Sequence, residues 1–345
     1  MIRIFSSLGR DLGIDIGTVN THIHVQGRGV VLSEPSLVAT DTKQEGIVAV
    51  GADAERLLLR TPDMLDEMRP LRDGFIVDYR VMLTMLRHFM NKASRSVGRT
   101  RVIMAVPCGI TDVEKRAMTD AIIQAGAREA YLLEAPIAAA LGCHLPVFEA
   151  CGSMAVDIGG GTTDIGVMSL GGKVIAHSAR IGGHDFNESI LQYIKNTFSV
   201  MVAVETVEAI KLELGTALPP QEEMELSFLG RDIANGLMKR IIIRKSEVYQ
   251  VMQETLQRIV DEIKSVVEQT PPELAADIME RGMILTGATA LMEGLGQRLS
   301  EELGIPVQVP PEPGFAVAVG LGQAGKEFAR MERFIIASKN RKGRA

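Results

Sequence analysis

Two short runs of this 345-residue chain set an aspartate at the end of an apolar stretch, directly before small and hydroxyl-bearing residues. They read Asp15-Ile16-Gly17-Thr18 and Asp157-Ile158-Gly159-Gly160-Gly161-Thr162. Such a turn suits phosphate. Small residues let backbone N–H groups and hydroxyls approach phosphate oxygens, while the carboxylate can hold Mg²⁺ through water. One copy also occurs as a plain hairpin, whereas two copies facing each other across a cleft make a much stronger phosphate device. The first copy offers Asp15, Gly17, Thr18, Asn20 and Thr21; the second offers Asp157, Gly159, Gly160, Gly161, Thr162 and Thr163.

The elements that must carry these turns follow from the surrounding pattern. β-type runs alternate with Gly turns from Asp11 to Val31 and again from Met154 to Ala179, so the echo predicts two related lobes, each with a hairpin-rich sheet. Arg101 to Pro107 reads as a buried strand, and Thr111-Asp112-Val113-Glu114 has the form of a capping box opening a helix that ends near Gly126. Gly182-Gly183 marks a turn before helices at about Asp185–Phe198 and Val204–Leu214, and Met224 to Arg244 suits a small inserted β subdomain. Ser246 is placed to cap a long amphipathic helix that stops at Pro271-Pro272. Met283–Thr286 and Val307–Val309 then read as strands, and the alternation with helices argues for α/β layers.

Composition narrows the function classes. Hydrophobic content of 46% with charged content of 23% is that of an ordinary globular protein, and a net charge of −6 provides no global basic field for nucleic acid. Three cysteines, without a C-x-x-C pair, indicate a reduced, cytoplasmic compartment. No apolar run reaches the roughly 18 residues of a spanning helix, and the start lacks a secretory signal. Met1, Ile4, Phe5 and Leu8 fall on one helical face flanked by Arg3 and Arg10, which reads either as a membrane-surface foot or as a short segment packed on the body. At the other end Phe328, Met331, Phe334 and Ile335 precede a basic tail, and a docked terminal helix is expected.

Longer motifs bring in a family. The chain resembles the MreB bacterial actins through D-L-G-I-D-I-G-T-V-N-T at 11–21, G-V-V-L-S-E-P-S at 29–36, R-P-L-R-D-G at 69–74 and V-D-I-G-G-G-T-T-D at 156–164. The likeness continues with R-I-G-G-H-D-F at 180–186, T-P-P-E-L-A-A-D-I at 270–278 and R-G-M-I-L-T-G at 281–287. It implies an actin-like ATPase fold of two ribonuclease-H-like lobes with a nucleotide cleft and two inserted small subdomains. The lobes would be 1–150 (core 1–32 and 74–150, insertion 33–73) and 151–345 (core 151–182 and 245–345, insertion 183–244). The ligands implied are ATP and Mg²⁺, with Asp15 and Asp157 on the hydrated metal. Glu208 and Lys211, one helical face apart at i, i+3, would embrace the adenosine, and Gly287 and Ala288 would lie beside the nucleotide. The partners implied are other copies of the chain in filaments, an anionic membrane surface on the cytoplasmic side, and the cell-wall elongation machinery that sets rod shape.

Two departures from the family pattern matter. Relatives carry Glu before the Pro of E-E-P-x-A-A-A, where it helps position the attacking water; this chain reads Glu134-Ala135-Pro136-Ile137-Ala138-Ala139-Ala140. With Ala135 at that position and only Thr162 kept among the expected catalytic groups, slow hydrolysis is expected, because positioned acid/base groups contribute about 10²- to 10⁴-fold. The second departure is Gly287-Ala288-Thr289-Ala290 in place of G-G-G-A, with backbone strain expected if a replaced glycine were left-handed. Alternatives are a nucleotide-binding scaffold without useful turnover, or a small-molecule kinase of the same superfamily. No carboxylate base with a recognisable motif supports the kinase.

Overall fold

The structure, a computed structural model, describes residues 11–42, 46–61, 64–94 and 100–340. The expected foot at Met1, Ile4, Phe5 and Leu8 and the basic residues Arg341, Lys342 and Arg344 lie outside the described residues.

The first Asp-Gly-Thr turn joins β1 (Leu12–Ile16) to β2 (Asn20–Val25), and β3 (Gly29–Pro35) completes an antiparallel meander. Leu12, Ile14 and Ile16 alternate inward along β1 and anchor the turn to a buried floor. A small sheet of order β5-β4-β6 then follows, from β4 (Val38–Asp41), β5 (Ile47–Val50) and β6 (Leu65–Met68), with α1 (Ala52–Arg60) against it. A hairpin of β7 (Leu71–Arg72) and β8 (Phe75–Ile76) leads to α2 (Tyr79–Ala93), whose first turn is capped by Asp78 accepting the Val81 N–H at 2.9 Å. β9 (Arg101–Val106) and β10 (Glu129–Glu134) extend the first sheet in parallel beyond β1. Between them runs α3 (Asp112–Gln124), which opens on the predicted Thr111–Glu114 capping box. α4 (Ala135–Gly142) follows β10 without a break.

The second half repeats this plan. β11 (Ser153–Ile158), β12 (Thr163–Ser169) and β13 (Gly172–Ala179) form the second meander. α5 (Gly183–Phe198), β14 (Val200–Met201), α6 (Val204–Leu214), β15 (Glu225–Asp232) and β16 (Met238–Arg244) follow, the three strands making their own sheet. α7 (Lys245–Gln269) and α8 (Pro272–Arg281) return the chain to β17 (Met283–Thr286), α9 (Leu295–Leu303) and β18 (Val307–Gln308). The order β13-β12-β11-β17-β18 matches β3-β2-β1-β9-β10, each a meander continued by two parallel strands. The sequence echo is therefore also a structural one, with Asp15 and Asp157 one residue from the end of equivalent strands.

α10 (Ala316–Lys326) packs along α4 between the two sheets. Both helices are built from small residues, and a Cβ at Gly320 would collide with the Ala138 carbonyl, as one at Gly142 would with that of Ala316. Their backbones thus nearly touch where the lobes join. Gly320→Ala should lower stability by about 1–3 kcal/mol, the usual cost of over-packing, as a shift in the denaturant midpoint; an unchanged midpoint would show that the helices separate freely.

Two expectations are corrected. Ser246 is not the cap of α7: the Glu247 carboxylate accepts the Arg244 N–H at 2.7 Å, while the Ser246 hydroxyl donates to Glu223 at 2.6 Å. The C-terminal segment is not a helix. Its apolar residues Phe328, Met331 and Phe334 recur every third residue, the 3₁₀ period; Phe328–Arg330 makes one 3₁₀ turn and a single further turn follows, with the Phe334 N–H donating to the Met331 carbonyl at 2.9 Å. Met331 and Phe334 are buried, and the chain then extends as β19 (Ala337–Asn340), which pairs with β10 and covers its open edge.

Candidate nucleotide cleft

The two turns face each other across a cleft of about 430 Å³. Asp15, Gly17, Thr18, Asn20, Asp157, Gly159, Gly160, Gly161, Thr162, Glu208, Lys211, Gly287 and Ala288 all line it. Thr163 and Thr21 do not. Strand alternation turns Thr163 away from Thr162, and its hydroxyl donates to the Ile181 carbonyl at 2.8 Å; Thr21 is buried against Ser36 at 2.8 Å.

Three carboxylates form the floor, Asp164 buried and Asp15 and Asp157 partly buried. Burial, with the charges of Asp157 and Asp164, pushes Asp15 up to about 8. Burial also raises Asp157 to about 6, against a hydrogen bond from the Thr286 hydroxyl at 2.6 Å. Asp164 is raised by burial too, although its carboxylate accepts the Cys108 N–H at 2.9 Å and the Ser178 and Thr162 hydroxyls. Among the described residues Lys211 is the only Lys or Arg lining the cleft, and it is committed to Glu208 at 2.9 Å and the Gly183 carbonyl at 3.1 Å. Carboxylates this deep without a cation fit a divalent ion. Among the described residues no three His, Cys, Asp or Glu side chains converge to ligate a metal directly.

The raised values carry a sign. Without metal, the folded state holds protons on Asp15 and Asp157 that the unfolded chain releases near pH 4. The associated stability is full below that pH and is lost as pH rises through about 6 and about 8. A cation needs the deprotonated forms, so its affinity rises over the same window. Thermal melts should show the metal-free midpoint falling from pH 6 to 8 while the increment from Mg²⁺ with nucleotide grows; parallel curves would mean that these carboxylates do not face the ion.

Glycine is required where the turns close. A Cβ at Gly160 would strike Val19 of the opposite turn, and one at Gly161 would lie 3.0 Å from both the Asp73 carboxylate and the Thr18 hydroxyl. The expected strain at the second departure is absent. The left-handed residue is the retained Gly287, φ +86°, whose Cβ would collide with the Ile158 carbonyl, whereas Ala288 opens an ordinary 3₁₀ turn, Ala288–Leu291. Thr289 gains a role there, donating to the Gly159 carbonyl at 3.0 Å and tying this turn to the second phosphate turn.

Glu208 and Lys211 share one face of α6. Burial pushes the Glu208 carboxyl up, but hydrogen bonds from Lys211 and from Asn187, the latter at 2.6 Å, bring it below the usual range. Ala135 lines the cleft at the start of α4. Glu134 points the other way, buried at 2% exposure and paired with Lys173 at 2.9 Å, so it does not replace the missing carboxylate. Asp164 and His22 are among the lining residues that escaped the sequence reading, although each lies two positions from a named residue on a strand-like run. Burial pushes His22 down to about 4, leaving a neutral imidazole in the cleft.

Comparison with known proteins agrees with this geometry. The family described as MreB/Mbl protein matches residues 9–333. Cell shape-determining protein MreB of Escherichia coli (strain K12) is 45% identical over 332 residues, 94% of this chain and 96% of that protein. Cell shape-determining protein Mbl of Bacillus subtilis (strain 168) is 43% identical over 315 residues, 91% of this chain and 95% of that protein. Among solved structures, MreB5 of Spiroplasma citri bound to ADP superposes with TM-score 0.88 at 29% identity, covering 94% of this chain and 98% of that one. The AMPPNP-bound form matches equally well. A MamK double helical filament, TM-score 0.78 at 20% identity, shares the actin-like fold.

Proposed function

This chain belongs to the MreB/Mbl family, and from that premise we propose that it is an ATP-binding, actin-like cytoskeletal protein that determines cell shape. The observation that carries the reading is the pair of Asp-Gly-Thr turns closing one cleft over three carboxylates whose acidity is weakened by desolvation. Asp15 and Asp157 hold hydrated Mg²⁺, the two turns enclose the phosphates, and Glu208 and Lys211 bracket the adenosine. Mg²⁺, when bound, supplies the positive charge that the phosphates and the aspartates both require. The lobes divide near 150/151, with insertions at 33–73 and 183–244. Support for nucleotide comes from the related MreB5, which binds ADP and AMPPNP.

The protein assembles with itself into filaments on the inner face of the cell membrane and there organises the cell-wall elongation machinery. In this reading the attachment is peripheral and made through Met1, Ile4, Phe5 and Leu8; no helix among the described residues is long and apolar enough to cross a membrane. A foot this short binds weakly in one copy and firmly in many. Sedimentation with ATP and anionic liposomes tests both points: the full chain should pellet when both are present, and deletion of residues 1–9 should release filaments from lipid. Equal pelleting by the truncated protein would remove the foot from the reading. Ala135 favours a second reading, a nucleotide-bound scaffold with little turnover, and steady-state phosphate release by the assembled protein separates the two.

A further inference from the structure

We propose that His22 is a hydrogen-bonding contact for the outermost phosphate of a nucleoside triphosphate in the cleft. The inference rests on the nucleotide reading above and adds to it a residue that senses the third phosphate. In the β1–β2 ladder Ile16 faces Thr21 and Asp15 faces His22, so His22 lies one step below the first phosphate turn. Directly opposed residues of an antiparallel pair share a face, with Cβ atoms about 5 Å apart. His22 therefore stands beside Asp15 and lines the cleft with it, while Thr21 between them in sequence turns into the core.

The position does not read as plain packing. The ring is held edge-on against Phe315, centroids 4.9 Å apart at 77°, so its direction is set. Its Nδ1 is buried with no hydrogen-bond partner. An apolar side chain would fill that place without burying an unpaired nitrogen, a cost of about 1–3 kcal/mol. Lys211, the only Lys or Arg in the lining among the described residues, is tied to Glu208 and Gly183 on the α5–α6 side. On the β1–β2 side the Arg69 guanidinium donates to the Thr18 and Val19 carbonyls at 3.2 and 3.3 Å, and the imidazole of His22 is the side-chain nitrogen base that lines the cleft there. A neutral imidazole keeps one N–H, and the acceptor assigned to it is an oxygen of the phosphate nearest Asp15, its cross-strand partner.

The prediction is a selective loss. With the full chain and Mg²⁺, calorimetric titration of AMPPNP and of ADP should show that His22→Leu weakens AMPPNP about tenfold or more and ADP less than about twofold, the span expected for one hydrogen bond to a charged group. His22→Gln, which keeps an N–H at a similar reach, should recover most of the difference. ADP binding also reports that the variant is folded; if His22→Leu binds neither ligand, the same ratio is read from His22→Ala. Equal losses for both ligands, or none, overturn the proposal and leave His22 as a packing residue. Failure of the unmodified protein to bind either ligand overturns the nucleotide reading itself, and this inference with it.

Discussion

Asp157→Ala and Asp157→Asn should each lose about 10- to 100-fold in Mg²⁺-dependent nucleotide affinity, the range for groups that act on a metal through an intervening shell. Asp157 is partly buried on the cleft floor, so its charge is screened less than a surface charge and is available to whatever cation enters the cleft. The Asn variant is the sharper of the two, since it keeps an oxygen for the Thr286 hydroxyl, now at 2.6 Å from Asp157, and removes only the charge. Calorimetry with and without EDTA checks the result: chelation should bring the unmodified protein down to the variant's level and change the variant little. Metal-free stability should move the opposite way. Burial holds the Asp157 proton up to about 6, so above that pH the folded chain carries an unfavourable buried charge that Asn relieves. A variant with unchanged Mg²⁺ dependence would show that Asp157 does not face the ion.

Much of this site was legible because its chemistry is local in sequence. Gly and Thr beside an apolar strand declare a turn, and the duplication of that turn declares two lobes, before any coordinates. The misses share a cause, which is side-chain direction. Thr162 and Thr163 are equivalent as hydroxyl bearers, and only the pleat of β12 sends the first into the cleft and the second to the Ile181 carbonyl. The same alternation carries Asp164 back to the floor and, from Asn20, brings His22 in. A strict period-two reading from each turn would have found both. The C-terminal misreading is of another kind. Apolar spacing reports what must be buried, whereas β19 forms because β10 has an open edge to pair, which nothing near Phe334 reveals. Gly287 shows the converse, a glycine kept for its left-handed backbone while its neighbour became Ala288 at no cost.

Restoring a carboxylate by Ala135→Glu should raise phosphate release about tenfold or more, the lower part of the range for positioned acid/base groups. The rest of the machinery is in place: Ala135 lines the cleft together with Asp15, Asp157 and Thr162, and the Thr162 hydroxyl is held by Asp164. The position also tolerates the charge, for it begins α4, where the partial positive end of a helix favours a carboxylate. Glu134 cannot serve in its stead, since Lys173 holds it on the far side of the strand end. A fourth acid near the three aspartates of the floor raises the local demand for Mg²⁺, so the gain should be largest at saturating metal. ATP affinity there should change little, because the new side chain addresses the attacking water and not the ground-state nucleotide. Single-turnover phosphate release separates chemistry from assembly. If the unmodified protein already hydrolyses ATP at a rate the Glu variant does not exceed, another group orients the water, and slow turnover is not what Ala135 confers.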